Sequence, residues 1–538
     1  MTANPTRVRR TLASLIALIA LAVSGTALAD FVADLDTLAE RKFSARLNAI
    51  DAIRNSGHPQ ALAVLQATLD GRLYRRKSDR LLVIAEAREP GSLRLTNAVT
   101  GDDLGTATTG ALKRIRTNNR LRKTLRGAVA SLHLVHPDAA VRLAAAQELL
   151  GTASPATADL LREALSGERD DEVHAAMEIG LASIEVNSDD PAKRLQAIEA
   201  LDGSLHQEVR ALLAGVVENT DDAEVEAAAR RVLQRIESWL AIYDTISNLY
   251  FGISLGSVLL LAAVGLAITF GVMGVINMAH GEMVMLGAYT TYLIQQLMPQ
   301  HIEWSLPVAL PAAFLVTGAV GIAIERGVIR FLYGRPLETL LATFGISLIL
   351  QQAVRSIFSP LNRSVTTPDW MSGSLEINPA LTLTWNRLYI IVFALVVLAA
   401  LALLLRRTRF GLQVRAVTQN RTMARAMGMR TARVDALTFG LGSGIAGLAG
   451  VALSQLTNVG PNMGQAYIVD SFLVVVFGGV GNLMGTFLGA MTLGVANKFL
   501  EPVTGTVLAK ILMLVFIILF IQRRPRGLFA LSGRAANA

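Results

Sequence analysis

The sequence predicts an all-α chain in two parts: a polytopic helical membrane domain of about eight or nine spans, preceded by an exported, mostly helical domain with a small β insertion. Three observations carry this. Of 538 residues 52% are hydrophobic and only 17% charged, far from an ordinary soluble domain. The second half is a succession of apolar runs of membrane length. The first half instead holds most of the acidic residues, at helical spacing.

The chain opens with Arg7, Arg9 and Arg10, an apolar stretch, and Ala27-Leu28-Ala29 before Asp30. That is the pattern of a secretory signal peptide over 1–29, with an uncleaved signal anchor as the alternative; either one exports the chain from Asp30 onward.

Residues 30–240 form the exported part. Between about 71 and 105, "LYRRKSDRLLVIAE" and "LRLTNAVTGDDLG" read as strands parted by turns, the β insertion. Beyond it four segments, from Pro137, Arg169, Asp189 and Asp221, each have acidic residues near their start and continue with small and aliphatic residues three and four apart. Acidic starts suit helix N-termini, and the repetition predicts stacked helix pairs of HEAT-like type, a binding surface rather than a catalyst. His133 and His136 lack a following carboxylate at metal-site spacing, so they read as ordinary helix residues, as do His58, His174 and His206. No metal or cofactor is expected. Cysteine is absent, which excludes disulfides, thiolate nucleophiles and cysteine-ligated clusters.

The membrane domain is expected over 245–525. Its apolar runs are approximately Leu249 to Ile268, Ile276 to Leu297, Ser305 to Ile324, Leu340 to Ile357, Leu388 to Leu405, Ala436 to Leu456, Ile468 to Ala496 and Leu508 to Ile521. The run from Ile468 is too long for one crossing and is interrupted by "FGGVGNLMG", so it reads as two crossings or a re-entrant pair. If the first half is exported, Arg326, Arg330 and Arg335, the arginine-rich segment 406–433 and the tail Arg523, Arg524 and Arg526 all fall inside. The positive-inside rule independently gives the same result, with a cytoplasmic C-terminus. This placement also accounts for the net charge of +8 without nucleic acid.

No Gly-Lys pair occurs anywhere, so the chain carries no Walker A loop, and any ATP-driven step needs a partner. In 406–433, "TQNRTMARAMGM" reads as an amphipathic helix with Met423, Ala426 and Met427 on one side. Its alternatives are an inside loop whose arginines only fix topology, or a coupling element docking into a groove on a motor subunit.

"VINMAHGEMVMLGAY" places His280 and Glu282 inside an apolar run. With a helix starting near Ile276, Asn277, His280, Val284 and Thr291 share a face and both ionisable residues sit near the inner mouth. Ionisable groups at membrane depth face a bundle interior or a water path. Asn277 and His280 are therefore expected to line a passage, with Glu282 against a neighbouring helix; the alternative is that all three satisfy backbone at a tight turn. Thr343, Ser347, Gln351, Gln352, Ser443 and Asn482 are further polar residues within spans. Amides and hydroxyls suit a small neutral solute better than a zwitterion. An intramembrane enzyme would need a third orienting group that is missing, and a passive channel would not explain the arginine-rich segment.

"ITFGVMGVINMAHGEMVMLGAY", "ATFGISLIL", "RRTRFGLQVRAVTQN", "LTFGLGSGIAGLAGVALS", "VVVFGGVGNLMGTFLGA" and "RPRGLF" resemble the permease subunits of branched-chain amino acid ABC importers, over Leu249 to Phe529. Within that group, "IERGVIRFLYGRPLETLLATFGISLILQQAVR", "NKFLEP" and the long exported first half resemble the urea-importer permeases (the B subunit). The resemblance implies a type II importer permease fold in a bacterial inner membrane, paired with a sister permease as a heterodimer. It further implies two cytoplasmic ABC ATPases and a periplasmic urea-binding protein, with branched-chain amino acids or short amides as the alternative cargo. Coupling would run through 406–433, with Arg415, Gln419, Asn420, Arg421, Met423, Arg425 and Met427 as its candidate contacts.

Overall fold

A computed structural model describes residues 30–40, 42–89, 92–150 and 155–529. The expected signal peptide lies outside the described residues. Contacts divide the chain at Trp239 and Leu240 into two compact units.

The first unit opens with α1 (30–38), α2 (Phe43–Asn55) and α3 (Ala61–Leu69). Then comes an antiparallel sheet of β1 (Leu73–Arg76), β2 (Leu82–Glu89), β3 (Ser92–Asn97), β4 (Asp103–Thr108) and β5 (Leu112–Arg114), in the order β4-β3-β2-β1-β5. The insertion is thus larger than the expected 71–105. Its last strand returns beside the first, Tyr74 opposite Arg114, so that β1 is interior and the short β5 is the edge. Leu73, Leu82, Val83, Ile84, Ala85, Leu95 and Leu112 are the buried apolar residues of the sheet.

Six helices follow: α4 (Asn119–His133), α5 (Ala139–Leu149), α6 (Pro155–Gly167), α7 (Asp171–Glu185), α8 (Pro191–Ala200) and α9 (Gln207–Asn219). A seventh, α10 (Ala223–Met273), runs on through the point of division. Each acidic start read from the sequence caps a helix. Asp138 accepts from the Ala140 amide, Asp170 from Glu172 and Val173, Asp190 from Ala192, and Asp222 from Glu224. One sheltered ion pair ties α5 to the turn between α6 and α7. Arg142 of α5 grips both oxygens of Glu168 at 2.6 and 2.8 Å while also donating to the carbonyls of His136 and Pro137.

The second unit contains the end of α10 and α11 (His280–Leu297), α12 (Ile302–Gly327), α13 (Pro336–Phe358), the hairpin β6 (Ser374–Asn378) and β7 (Leu381–Thr384), and α14 (Trp385–Arg407). It continues with α15 (Arg409–Gln419), α16 (Arg421–Ala426), α17 (Thr431–Ser454), α18 (Met463–Gly478), α19 (Leu483–Thr504) and α20 (Thr506–Arg523). Among the described residues seven helices are long and apolar enough to cross a membrane: α10, α12, α13, α14, α17, α19 and α20. The glycine-broken run does divide, into α18 and α19.

The bundle has two ends. At the hairpin end, Gln295 bonds Thr366, Trp370 bonds Glu303, Asn386 bonds Gln455, and Arg363 pairs with Val459. At the connector end, α15 and α16 lie beside the start of α17, and the amide of Phe529 reaches the carbonyl of Gly478.

Glycine sets the spacing at the centre. A Cβ on Gly442 of α17 would lie 2.6 Å from the Gly265 carbonyl of α10, one on Gly447 2.9 Å from Ala313 of α12, and one on Gly450 2.0 Å from Val284 of α11. Lipid tails give helices no hydrophobic reason to associate, so backbone-to-backbone packing of this kind holds them. At the periphery α14 and α20 expose Val392, Val396, Val507 and Leu519.

Candidate functional site

The segment Val275 to Glu282 departs from the expected helix. The chain leaves α10 at Met273, turns at Gly274 (φ +65°) and is non-helical through 279; α11 starts at His280. His280 Nε2 lies 2.8 Å from the Ala262 carbonyl. Ala262 is eleven residues before the end of α10, roughly 16 Å back along that helix at the α-helical rise. The segment therefore climbs back into the bundle before α11 begins, and His280 and Glu282 lie deep within it, not at its mouth. Asn277 precedes the helix and is not on its face; its side chain accepts from the Ala279 amide at 3.0 Å.

α18 is shortened too. Its first turn meets that of α11, where a Cβ on Gly281 would lie 2.3 Å from the Gly464 carbonyl. Two helix N-termini thus face one another inside the bundle, and neither has a side-chain cap. Asn462, at the cap position of α18, is engaged instead by Arg355 at 2.6 Å.

Between them sits Glu282. Its Oε1 accepts from Ser347 at 2.9 Å and Gln351 at 2.7 Å, while Oε2 is buried with no hydrogen-bond partner. A Cβ on Gly464 would lie 2.7 Å from that oxygen. The carboxylate is 1% exposed.

On α13 the residues Thr343, Ser347, Gln351 and Arg355 recur every fourth position, one stripe facing α11 and α18. Thr343 receives the Met278 amide at 3.1 Å, so the stripe supports the unwound segment as well. Of the expected passage residues the structure brings Asn277, Thr343, Ser347 and Gln351 to this seam. His280 turns to α10, Gln352 is exposed, and Ser443 is buried in α17. Asn482 caps α19, accepting from Met484 and Gly485. Sequence reasoning gave Glu282 a packing role only and did not single out Arg355.

At the connector end the expected amphipathic helix is interrupted at Asn420, whose side chain caps α16 by accepting from the Met423 amide at 2.9 Å. Arg415 bonds the Leu405 carbonyl; Gln419, Arg425, Met423 and Met427 are exposed. Arg421 reaches back to pair with Asp435, fully buried in α17, and its guanidinium lies 4.6 Å from the Tyr333 ring centre. The Tyr333 hydroxyl donates to Glu325 of α12 at 2.9 Å. Burial, with Asp435 and Glu325 adjacent, raises the phenol pKa above its ordinary value and keeps it a donor.

A polytopic helical bundle with broken helices meeting at its centre and an arginine-bearing connector at one end is the architecture of a membrane transport protein. The chain belongs to the family described as branched-chain amino acid transport system, permease component, whose model matches residues 248–521. It is a transport permease rather than an enzyme. It is 31% identical over 296 residues to the high-affinity branched-chain amino acid transport system permease protein BraD of Pseudomonas aeruginosa, covering 53% of this chain and 96% of that protein. Similarity to LivH of Escherichia coli K12, with the same descriptive name, is 31% over 294 residues, or 53% of this chain and 94% of the relative. The ribose import permease protein RbsC of the same organism is 27% identical over 273 residues, 48% of this chain and 79% of the relative. No solved structure matches the chain.

Proposed function

We propose that this chain is the membrane-spanning permease subunit of an ATP-driven ABC importer in a bacterial inner membrane, and that its cargo is urea. The observation that carries the importer reading is the coincidence of the family match with a bundle whose arginine-bearing connector exposes Met423 and Met427. In this reading the connector end is cytoplasmic, the first unit and the hairpin end are periplasmic, and the first unit is a HEAT-like surface for a partner. Arg415, Gln419, Asn420, Arg421, Met423, Arg425 and Met427 form the coupling contact with two ATPases. A sister permease and a periplasmic urea-binding protein complete the assembly.

Urea is favoured by two features. The relative BraD is matched over 96% of its own length by 53% of this chain, which leaves it no counterpart of the first unit. The seam also offers amide and hydroxyl groups from Asn277, Thr343, Ser347 and Gln351, suited to a solute with several N–H donors and one strong acceptor. His280 and Asn482 belong to the proposed passage as groups that fix its helix ends. The second reading, branched-chain amino acids, is favoured by the names of the relatives.

Uptake of labelled urea by vesicles holding the full complex, with acetamide and leucine as competitors, tests both. Competition by acetamide but not leucine is expected, with uptake lost in Asn277→Ala. Leucine uptake that urea does not inhibit would replace the first reading by the second.

A further inference from the structure

We propose that Glu282 and the facing N-termini of α11 and α18 form the solute-recognition site of this permease, closed in the present conformation. The site would take a small solute that presents N–H donors beside an acceptor oxygen; the proposal rests on the importer reading above.

Three independent observations converge there. Helices broken at membrane depth expose backbone groups, and such breaks persist only where protein buries them or a cavity uses them. Here two breaks meet. Neither helix start is capped by a side chain, and Asn462, the residue placed to cap α18, is held away by Arg355. A helix N-terminus carries partial positive charge and unfilled amide donors, so it offers itself to an acceptor oxygen.

The second observation is Glu282 itself. A carboxylate whose only task was to join α11 to α13 would be satisfied by bonding on both oxygens. Ser347 and Gln351 both bond Oε1, and Oε2 is left buried, unpartnered and directed at the first turn of α18. A buried acceptor without a donor is costly, so its persistence marks a place that is filled in another state.

The third is the pair of glycines. Gly281 and Gly464 have no side chains at the contact, and a Cβ on Gly464 would strike both Oε2 and the Gly281 carbonyl. Only glycine lets the two starts close over the carboxylate. If α18 withdraws by the width of one small molecule, the space opened is bounded by a carboxylate acceptor on one wall and amide donors on the other. Urea or a primary amide donates N–H to Oε2 and accepts at its carbonyl from the α18 amides. A zwitterion meets the same walls with ammonium and carboxylate. Arg355, one turn beyond Gln351 and bonded to Asn462, stands over the site on the hairpin side as its gate.

The test uses the full complex in vesicles with labelled urea and acetamide, and leucine as the comparison solute. Glu282→Gln keeps the shape and the bonding to Ser347 and Gln351 but removes the anion. It is expected to raise KM about tenfold or more at unchanged assembly and thermal midpoint, the loss of uniform binding to a solute. Glu282→Asp recovers part of the affinity. Gly252→Ala, whose added Cβ would lie 2.7 Å from Val495 Cα and strains only the packing of α10 on α19, lowers the midpoint with KM near that of wild type. Gly464→Ala, which obstructs closure, raises the rate of ATP hydrolysis without solute. Wild-type KM in Glu282→Gln, or equal KM changes in Glu282→Gln and Gly252→Ala, overturns the proposal. Should Glu282→Gln fail to assemble, Glu282→Asp and Gly464→Ala decide by the same two readouts. Absence of ATP-dependent uptake of all three solutes by the wild-type complex overturns the importer reading instead, and this site with it.

Discussion

Gly450→Ala is the smallest change that tests the central packing. The Cβ it adds would lie 2.0 Å from the Val284 carbonyl oxygen and 2.7 Å from the Ala288 amide nitrogen, both backbone atoms of α11. Ordinary contact begins near 3.4 Å, so one helix must move by more than 1 Å. No side chain can give way in its place. The same pair of helices is fixed again at Gly287, whose added Cβ would stand 2.1 Å from the Gly447 carbonyl, so the movement cannot be absorbed by a tilt about that point. Overpacking typically costs about 1–3 kcal/mol, and an obstruction against backbone belongs at the top of that range. For a unit of this size about 3 kcal/mol lowers the thermal midpoint by roughly 6–12 °C. Gly345→Ala is the matched control, because a Cβ there meets nothing within 4 Å; it should be neutral or stabilising by up to about 1 kcal/mol through helix propensity. Thermal midpoints of the purified protein in lipid nanodiscs check both. Equal midpoints for the two variants would refute the close approach of α11 and α17.

Two further outcomes are expected. The pKa of Glu168 is held down to about 2, first by its bonds to Arg142 and then by the amides of Asp170 and Arg169. A pKa lowered on folding stabilises above the unfolded value of about 4.5 and loses that contribution as pH falls towards 2; hydrogen exchange in α5 and α7 should accelerate over that window, and Glu168→Gln should abolish the pH dependence at a cost of about 1–3 kcal/mol. Arg421→Ala leaves Asp435 buried without its partner, which costs about 3–5 kcal/mol, whereas Arg421→Ala with Asp435→Asn costs less. Proteolysis of 409–426 measures this, and equal susceptibility of the single and double variants would count against the pair as a structural anchor.

The acidic helix starts were legible in the sequence because capping is local: Asp138, Asp170, Asp190 and Asp222 each bond an amide two residues on. Hydropathy gave the positions of most spans for a similar reason, since each crossing must be apolar along its own length. It could not find the break at 274–279, because Val275, Ile276 and Met278 keep the run apolar while the backbone turns. A local signal was nevertheless present. Asn277 lies two residues before the cap position of α11, and Glu282 is an acidic residue in its first turn. The partners of Glu282 were not legible, since Ser347 and Gln351 are 65 and 69 residues away and only the fold brings α13 to α11. The pairing of Arg421 with Asp435 was missed on the same ground: each residue is unremarkable alone. β5 escaped notice because three residues carry no periodicity.

Glycine-rich packing and broken helices are two sides of one requirement. An unwound segment at membrane depth survives only if its amides and carbonyls bond to protein. Here the Ala279 amide is met by Asn277 and the Met278 amide by Thr343, while His280 at the start of α11 reaches the Ala262 carbonyl of α10. Those bonds of 2.8 to 3.1 Å require α10, α11 and α13 to lie close around the segment. Side chains larger than hydrogen at Gly265 or Gly287 would separate the backbones by more than such bonds allow, since a Cβ at either would come within 2.3 Å of an α17 carbonyl. The glycines of α17 thus permit the break, and the polar residues of the seam hold it. Glu282 Oε2 is among the buried side-chain atoms that the packing leaves without a partner, and it lies beside the first turn of α18. A buried carboxylate oxygen without a donor, beside two converging helix starts, is where the proposed open conformation differs from this one.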